Sequence, residues 1–245
     1  MAIGSARAAF SARASFYDQL LAVCVVLMGC FALPYPWSRF ASIGYLLLAG
    51  VLIRGFNLAA MERLLPGRWR RGFSALGVLA VGFWLLWNFT PVAMRSTGIP
   101  VIVCWAVFGG WSAALLIRTL AQERQVSGSV LKGALAGYLM LGLAAGLLLC
   151  GLETIQPDSF RGVDVSQQAA EPYGSTVWGL NFAQLNYFAF VSLTTMGYGD
   201  VVPQTPTASM ACVVIAIAGT FYVAAVMGIL ISRLTIQESE PPRKS

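Results

Sequence analysis

The sequence predicts an all-α membrane protein: six transmembrane helices plus a re-entrant short helix and its adjoining loop, assembled as a tetramer. Three observations carry that reading. The 245 residues are 58% hydrophobic and only 11% charged, far more apolar than a soluble domain. Six stretches approach the roughly 20 apolar residues that a helix needs to cross a bilayer core. Between the fifth and sixth lies a shorter apolar run, Asn186 to Leu193, that closes on Thr-Thr-Met-Gly-Tyr-Gly-Asp.

Residues 1–15 carry Arg7 and Arg13 among Ala and Ser and read as a cytoplasmic N-terminal segment. Both a short amphipathic helix on the inner leaflet and irregular chain fit it. A long apolar run comes next with no small-residue cleavage site, so an uncleaved first helix is expected rather than a signal peptide. The first two spans, Phe16 to Leu33 and Phe40 to Met61, are marked by Asp18 and Arg54. Arg54 is read as a snorkelling side chain, its stem in lipid and its head at the interface, with Asp18 at the same face as its expected partner. Spans Phe73 to Thr90 and Ile99 to Leu120 complete a four-helix domain over residues 16–121.

The second half, residues 130–233, divides into an outer helix 130–152, a polar turret 153–179, a short helix 181–194, a loop 195–200 and an inner helix 206–232. The inner helix starts after Pro203 and at Pro206, where missing N–H groups are harmless. A cytoplasmic tail, 234–245, ends the chain.

Basic residues set the orientation, because cytoplasmic loops are enriched in Lys and Arg. With both termini inside a cell membrane, 13 of the 16 basic residues fall on the cytoplasmic side and only Arg39, Arg95 and Arg161 outside. The outer face also holds Glu153, Asp158, Asp164, Glu171 and Asp200, which makes it net negative and attractive to cations. The net charge of +6 is thus spread over alternate loops, a membrane-topology pattern and not a nucleic-acid surface. Cys24, Cys30, Cys104, Cys150 and Cys212 all lie in apolar spans and read as small packing residues. The chain has no histidine and no cluster of acids, cysteines or a serine elbow at a membrane face, so an enzyme is not expected and no catalytic residue is assigned.

Thr194 to Asp200 carries the chemistry. A cation sheds its water only where a ring of oxygens replaces it, and a regular strand points its carbonyls alternately to opposite sides. Gly197 and Gly199 tolerate positive φ, so alternate residues can turn left-handed and aim successive carbonyls at one axis. Tyr198 would point its ring away from that axis. Thr195 can add a hydroxyl oxygen, and Asp200 places a carboxylate at the outer mouth. The bland alternative for Gly-Tyr-Gly-Asp is a surface turn, but the flanking apolar segments argue against it.

This segment resembles the signature of the potassium channel family, Thr-Val-Gly-Tyr-Gly-Asp, from which it departs only at Met196. The resemblance implies a selectivity filter in which Thr195, Met196, Gly197, Tyr198 and Gly199 supply oxygens to K+, and a pore helix over 181–194. K+ is then the permeant ion and no other cofactor is implied. The implied partners are potassium ions, membrane lipid and further copies of the chain, with no nucleic acid. One loop supplies a quarter of an ion-coordinating ring, so four chains must share an axis. Tyr187 and Phe188 stand where the family often has two tryptophans, and Val191 where some relatives carry a glutamate that pairs with the aspartate after the filter. Ser192 is placed to hydrogen-bond the Tyr198 hydroxyl, and core packing is the competing reading for Phe188, Phe190 and Val191.

Gly219, nineteen residues after Asp200, has the spacing of the family's inner-helix glycine. Hinge and close contact are both open for it, and Gly228 is a second hinge candidate. The first four spans occupy the place of a voltage sensor, yet the fourth carries only Arg118, at its cytoplasmic end. Steep voltage dependence is not expected. Two other functions stay open: a less selective monovalent cation channel loosened by Met196, and a non-conducting regulatory membrane subunit.

Overall fold

The computed structural model describes residues 2–33, 40–57, 67–89, 99–122, 127–163 and 182–239. The described chain is almost wholly helical, in the order α1 (Ala2–Phe31), α2 (Phe40–Phe56), α3 (Gly67–Phe89), α4 (Ile99–Gln122), α5 (Gly128–Ile155), β1 (Phe160–Arg161), α6 (Phe182–Leu193), β2 (Val202–Pro203) and α7 (Pro206–Phe221). A π-helical segment, Tyr222–Met227, then joins α7 to α8 (Gly228–Ser239).

Helix α5 is the element against which both halves are built, touching α1, α4, α6, α7 and the π segment. Its sequence explains this. Between helices in lipid there is little hydrophobic gain, so association depends on close packing over small residues, and α5 offers several. The Tyr17 ring from α1 lies on Gly133, where a Cβ would sit 2.7 Å from it. The Tyr222 hydroxyl lies on Gly137, where a Cβ would sit 2.6 Å away. A Cβ at Gly142 would run into the Phe190 ring, and one at Gly146 into the Asn186 side chain. α5 therefore receives the four-helix domain on one side and α6 on another.

The four-helix domain is held at one end by a run of rings. Phe16 meets Phe56 at 5.8 Å, Phe56 meets Phe73 at 5.2 Å, and Phe73 stacks on Phe108 at 5.1 Å. Contacts of this kind each add about 0.5–1.5 kcal/mol beyond area burial. The one charged residue within α4, Arg118, is exposed near its C-terminal end.

The protein is a multi-pass membrane protein: among the described residues four helices, Ala12–Phe31, Ile99–Ala121, Gly128–Ile155 and Pro206–Ile236, are long and apolar enough to cross. The other two predicted spans differ in kind. α2 has 17 residues, a rise of about 26 Å at 1.5 Å per residue, against a core of about 30 Å. It ends at Phe56, and 58–61 lie outside the described residues. α3 is long enough with 23 residues, but Arg68, Arg70 and Arg71 load its first turns.

The N-terminal segment is helical and continuous with the first span, since α1 starts at Ala2. Asp18 does not pair with Arg54. α1 packs on α5, which brings Asp18 to Lys132 at 2.9 Å, while Arg54 is exposed on α2, as snorkelling requires. Among the predicted loop charges, Arg39, Arg63, Arg95, Arg124, Asp164, Glu171, Arg243 and Lys244 lie outside the described residues, as does the turret from 164 to 179.

Two substitutions should separate these forces. Gly142→Ala overpacks the α5–α6 contact and is expected to cost about 1–3 kcal/mol. Lys132→Met breaks a pair whose side chains are 55% and 47% exposed and should cost less than about 1 kcal/mol. Thermal unfolding in detergent would measure both; the reverse order would place the stability of this junction in the ion pair.

Candidate functional site

Helix α6 runs for 12 residues with Leu185, Asn186, Phe188, Ala189, Val191 and Leu193 buried. Its C-terminal end sets the geometry of the loop after it. The Thr195 N–H donates to the Ser192 carbonyl at 3.1 Å, and the Met196 N–H reaches back to Val191 at 3.0 Å. This is a Schellman termination, whose C′ residue must be left-handed and is usually glycine. Here that residue is Thr195, at φ 58°. A β-branched residue there is an outlier costing about 1–2 kcal/mol, which persists only where its surroundings over-determine it.

The left-handed geometry then recurs at every second residue. Gly197 has φ 59° and Gly199 φ 81°. Thr195, Gly197 and Gly199 thus alternate with Met196 and Tyr198, the pattern that turns successive carbonyls to one side. Met196 and Tyr198 are 61% and 66% exposed, so their outer surfaces are left uncovered by this chain.

Four contacts hold the segment from outside. The Tyr198 ring lies parallel to Tyr187, 6.5 Å away at 3°. The Tyr187 hydroxyl stands beside the Asp200 carboxylate and holds it below the usual carboxylate range. The Val201 N–H also donates to Asp200, at 3.0 Å. Finally, a Cβ at Gly162, itself at φ 86°, would collide with the Asp200 carbonyl oxygen.

Gly162 is delivered by the first residues of the turret. The Glu153 carboxylate caps this turn, accepting from the Asp158 N–H at 3.0 Å and the Phe160 N–H at 3.1 Å. β1 then pairs antiparallel with β2, Phe160 opposite Pro203 and Arg161 opposite Val202. The Gln204 N–H donates to Ser159 at 2.8 Å. The chain from Asp200 to Gln204 is therefore clamped between α6 and the end of α5.

The predicted support residues separate. Tyr187 touches both Tyr198 and Asp200. Phe188 is buried against Phe160 at 5.7 Å, and Val191 is buried as well. Both are packing residues. Ser192 lies beside Cys212 of α7.

Residues 160–236 match a family model described as an ion channel. The chain carries an ion channel domain. No curated protein and no solved structure matches the chain significantly.

The matched part of this domain includes both hinge candidates. Gly219 lies against the end of α6, where a Cβ would strike the Leu193 carbonyl oxygen, whereas nothing stands within 4 Å of a Cβ at Gly228. The helical irregularity lies between them, in the π segment Tyr222–Met227. Such segments are rare and concentrate at functional sites. Its first residue is pinned: the Tyr222 hydroxyl donates to the Ala134 carbonyl of α5 at 2.6 Å, and its ring packs on Tyr138 at 5.5 Å. Further on, Arg233 donates to the Ala121 carbonyl at the end of α4, at 3.2 Å. Sequence reasoning missed the π segment, the β1–β2 clamp and Gly162; only Gly162, a glycine between Arg161 and Val163 near the start of the turret, left any signal.

The Tyr187 hydroxyl holds Asp200 below the ordinary carboxylate range, so Asp200 should be charged at neutral pH and take up its proton only as pH falls through that lowered value. Tyr187→Phe should raise the titration midpoint of Asp200, read by carboxyl-labelled NMR, and an unmoved midpoint would show that the hydroxyl does not hold the carboxylate. Gly219→Ala should cost about 1–3 kcal/mol by overpacking, while Gly228→Ala should be neutral or add up to about 1 kcal/mol of helix propensity; thermal unfolding of both variants checks the difference.

Proposed function

We propose that the chain is one subunit of a homotetrameric, potassium-selective channel that passes K+ down its gradient without chemistry. The observation that carries the reading is the alternation of left-handed backbone at Thr195, Gly197 and Gly199. Carbonyls turned to one side can replace the hydration shell of a desolvated ion. In this reading K+ meets the backbone oxygens of Thr195, Met196, Gly197, Tyr198 and Gly199 and the Thr195 hydroxyl, with Asp200 at the outer mouth. The exposed Met196 and Tyr198, together with exposed Val213, Val214, Ile217 and Phe221 on α7, are the surfaces that neighbouring subunits cover around a fourfold axis.

Six crossings, with α2 and α3 completing the set, put both termini in the cytoplasm of the plasma membrane and agree with the loop charge asymmetry. The lone exposed Arg118 in α4 supports a channel without a voltage sensor. Met196 favours one second reading, a less selective cation pore, because an unbranched side chain braces a filter less firmly than a β-branched one.

Purified protein in liposomes should pass K+ in strong preference to Na+, and Met196→Val should keep or raise that preference. Equal K+ and Na+ fluxes in the wild type would favour the less selective pore, and no flux of either ion would remove conduction altogether.

A further inference from the structure

The four-helix domain has no row of sensor arginines to account for its presence, but one of its side chains reaches the helix that ends in the filter. Asn186 of α6 is 1% exposed and lies across α5, in the gap that Gly146 leaves by having no Cβ. Its Nδ2 donates to the Phe182 carbonyl at 2.8 Å, which fixes the amide and leaves Oδ1 free to accept. On the far side Tyr45 of α2 donates its hydroxyl to that Oδ1 at 3.4 Å. Tyr45 is 7% exposed, and its ring is set edge-on by Trp105 of α4 at 5.7 Å. The cavity beside it is apolar and about 10 Å³, at the lower limit for holding one water. The residue after Asn186 is Tyr187, whose ring lies parallel to Tyr198 at 6.5 Å and whose hydroxyl stands beside Asp200.

We infer that Tyr45 is a positioning residue for the selectivity filter, through which the four-helix domain fixes the rotation of α6 and hence the placement of Tyr187 behind Tyr198 and Asp200. The inference rests on the potassium-channel reading of the same site. Tyr45 acts through Asn186 and touches no ion. Its hydroxyl and the Asn186 amide form a buried polar pair in which losing one member strands the other, while replacing both by apolar groups is nearly neutral.

The test is a double-mutant cycle on the full chain in liposomes, read as the K+ to Na+ flux ratio. Tyr45→Phe keeps the ring and should lower the ratio about threefold to tenfold, the range for one buried hydrogen bond. Asn186→Leu should lower it as well, and Tyr45→Phe should lower it no further, and partly restore it, in the Asn186→Leu background. Ser74→Ala removes a hydroxyl that bonds Asn57 within the same domain at 3.0 Å and should leave the ratio unchanged, which separates positioning from general loosening. A selective wild type whose ratio is unmoved by Tyr45→Phe, or moved equally in both backgrounds, overturns the inference alone. A wild type without K+ preference overturns the channel reading beneath it.

Discussion

Backbone that aims its carbonyls at a common axis cannot also bond them to its own chain. That constraint governs the rest of this structure. A helix or a sheet satisfies its polar groups internally, and irregular backbone at membrane depth survives only where protein surrounds it or water reaches it. In the proposed channel the stretch from Thr195 to Gly199, with left-handed residues at 195, 197 and 199, is such a backbone, so its shape must be imposed from outside. α6 imposes the first turn by its Schellman termination. Tyr187 backs Tyr198 and Asp200, and the β1–β2 clamp brings Gly162 against the Asp200 carbonyl. From below, Gly219 lets α7 press on the Leu193 carbonyl, so the inner helix abuts the end of α6 directly.

Thr195 bears an energetic cost under the same constraint. Glycine would relieve about 1–2 kcal/mol at a left-handed position but would delete the hydroxyl that the ion-binding reading uses. A threonine at the residue where the helix most wants a glycine shows local preference yielding to the tertiary arrangement, as is expected of functional sites. Its Schellman bonds and the neighbouring Thr194 hydroxyl, donating to Phe190 at 2.7 Å, hold the turn.

Much of this is legible in the sequence, and the parts that are not share a physical reason. The glycines at 197 and 199 announce positive φ because no other residue suits it as well, and α5, α6 and α7 arise from long apolar runs bounded by Ser127, Leu193 and Pro206. Hydropathy places Asp18 and Arg54 near one membrane face, but it gives depth and not neighbours; α1 in fact adjoins α5 and its Lys132. The partner of Asp200 is hidden for a similar reason, since a phenol thirteen residues upstream becomes a neighbour only once α6 reverses into the loop. The π segment has no signal at all: Tyr-Val-Ala-Ala-Val-Met reads as ordinary apolar helix, and composition does not distinguish i→i+4 from i→i+5 closure.

That last feature changes how positions along the inner helix can be compared. A turn closed by i→i+5 bonds holds about one residue more than an α turn, and one residue of an α-helix corresponds to about 100° of rotation. Residues above Tyr222 and residues below Met227 therefore do not share one helical phase. A wheel drawn straight through from Pro206 assigns the wrong face to everything after the segment, Gly228 and Arg233 included. Position along this helix has to be counted from two origins.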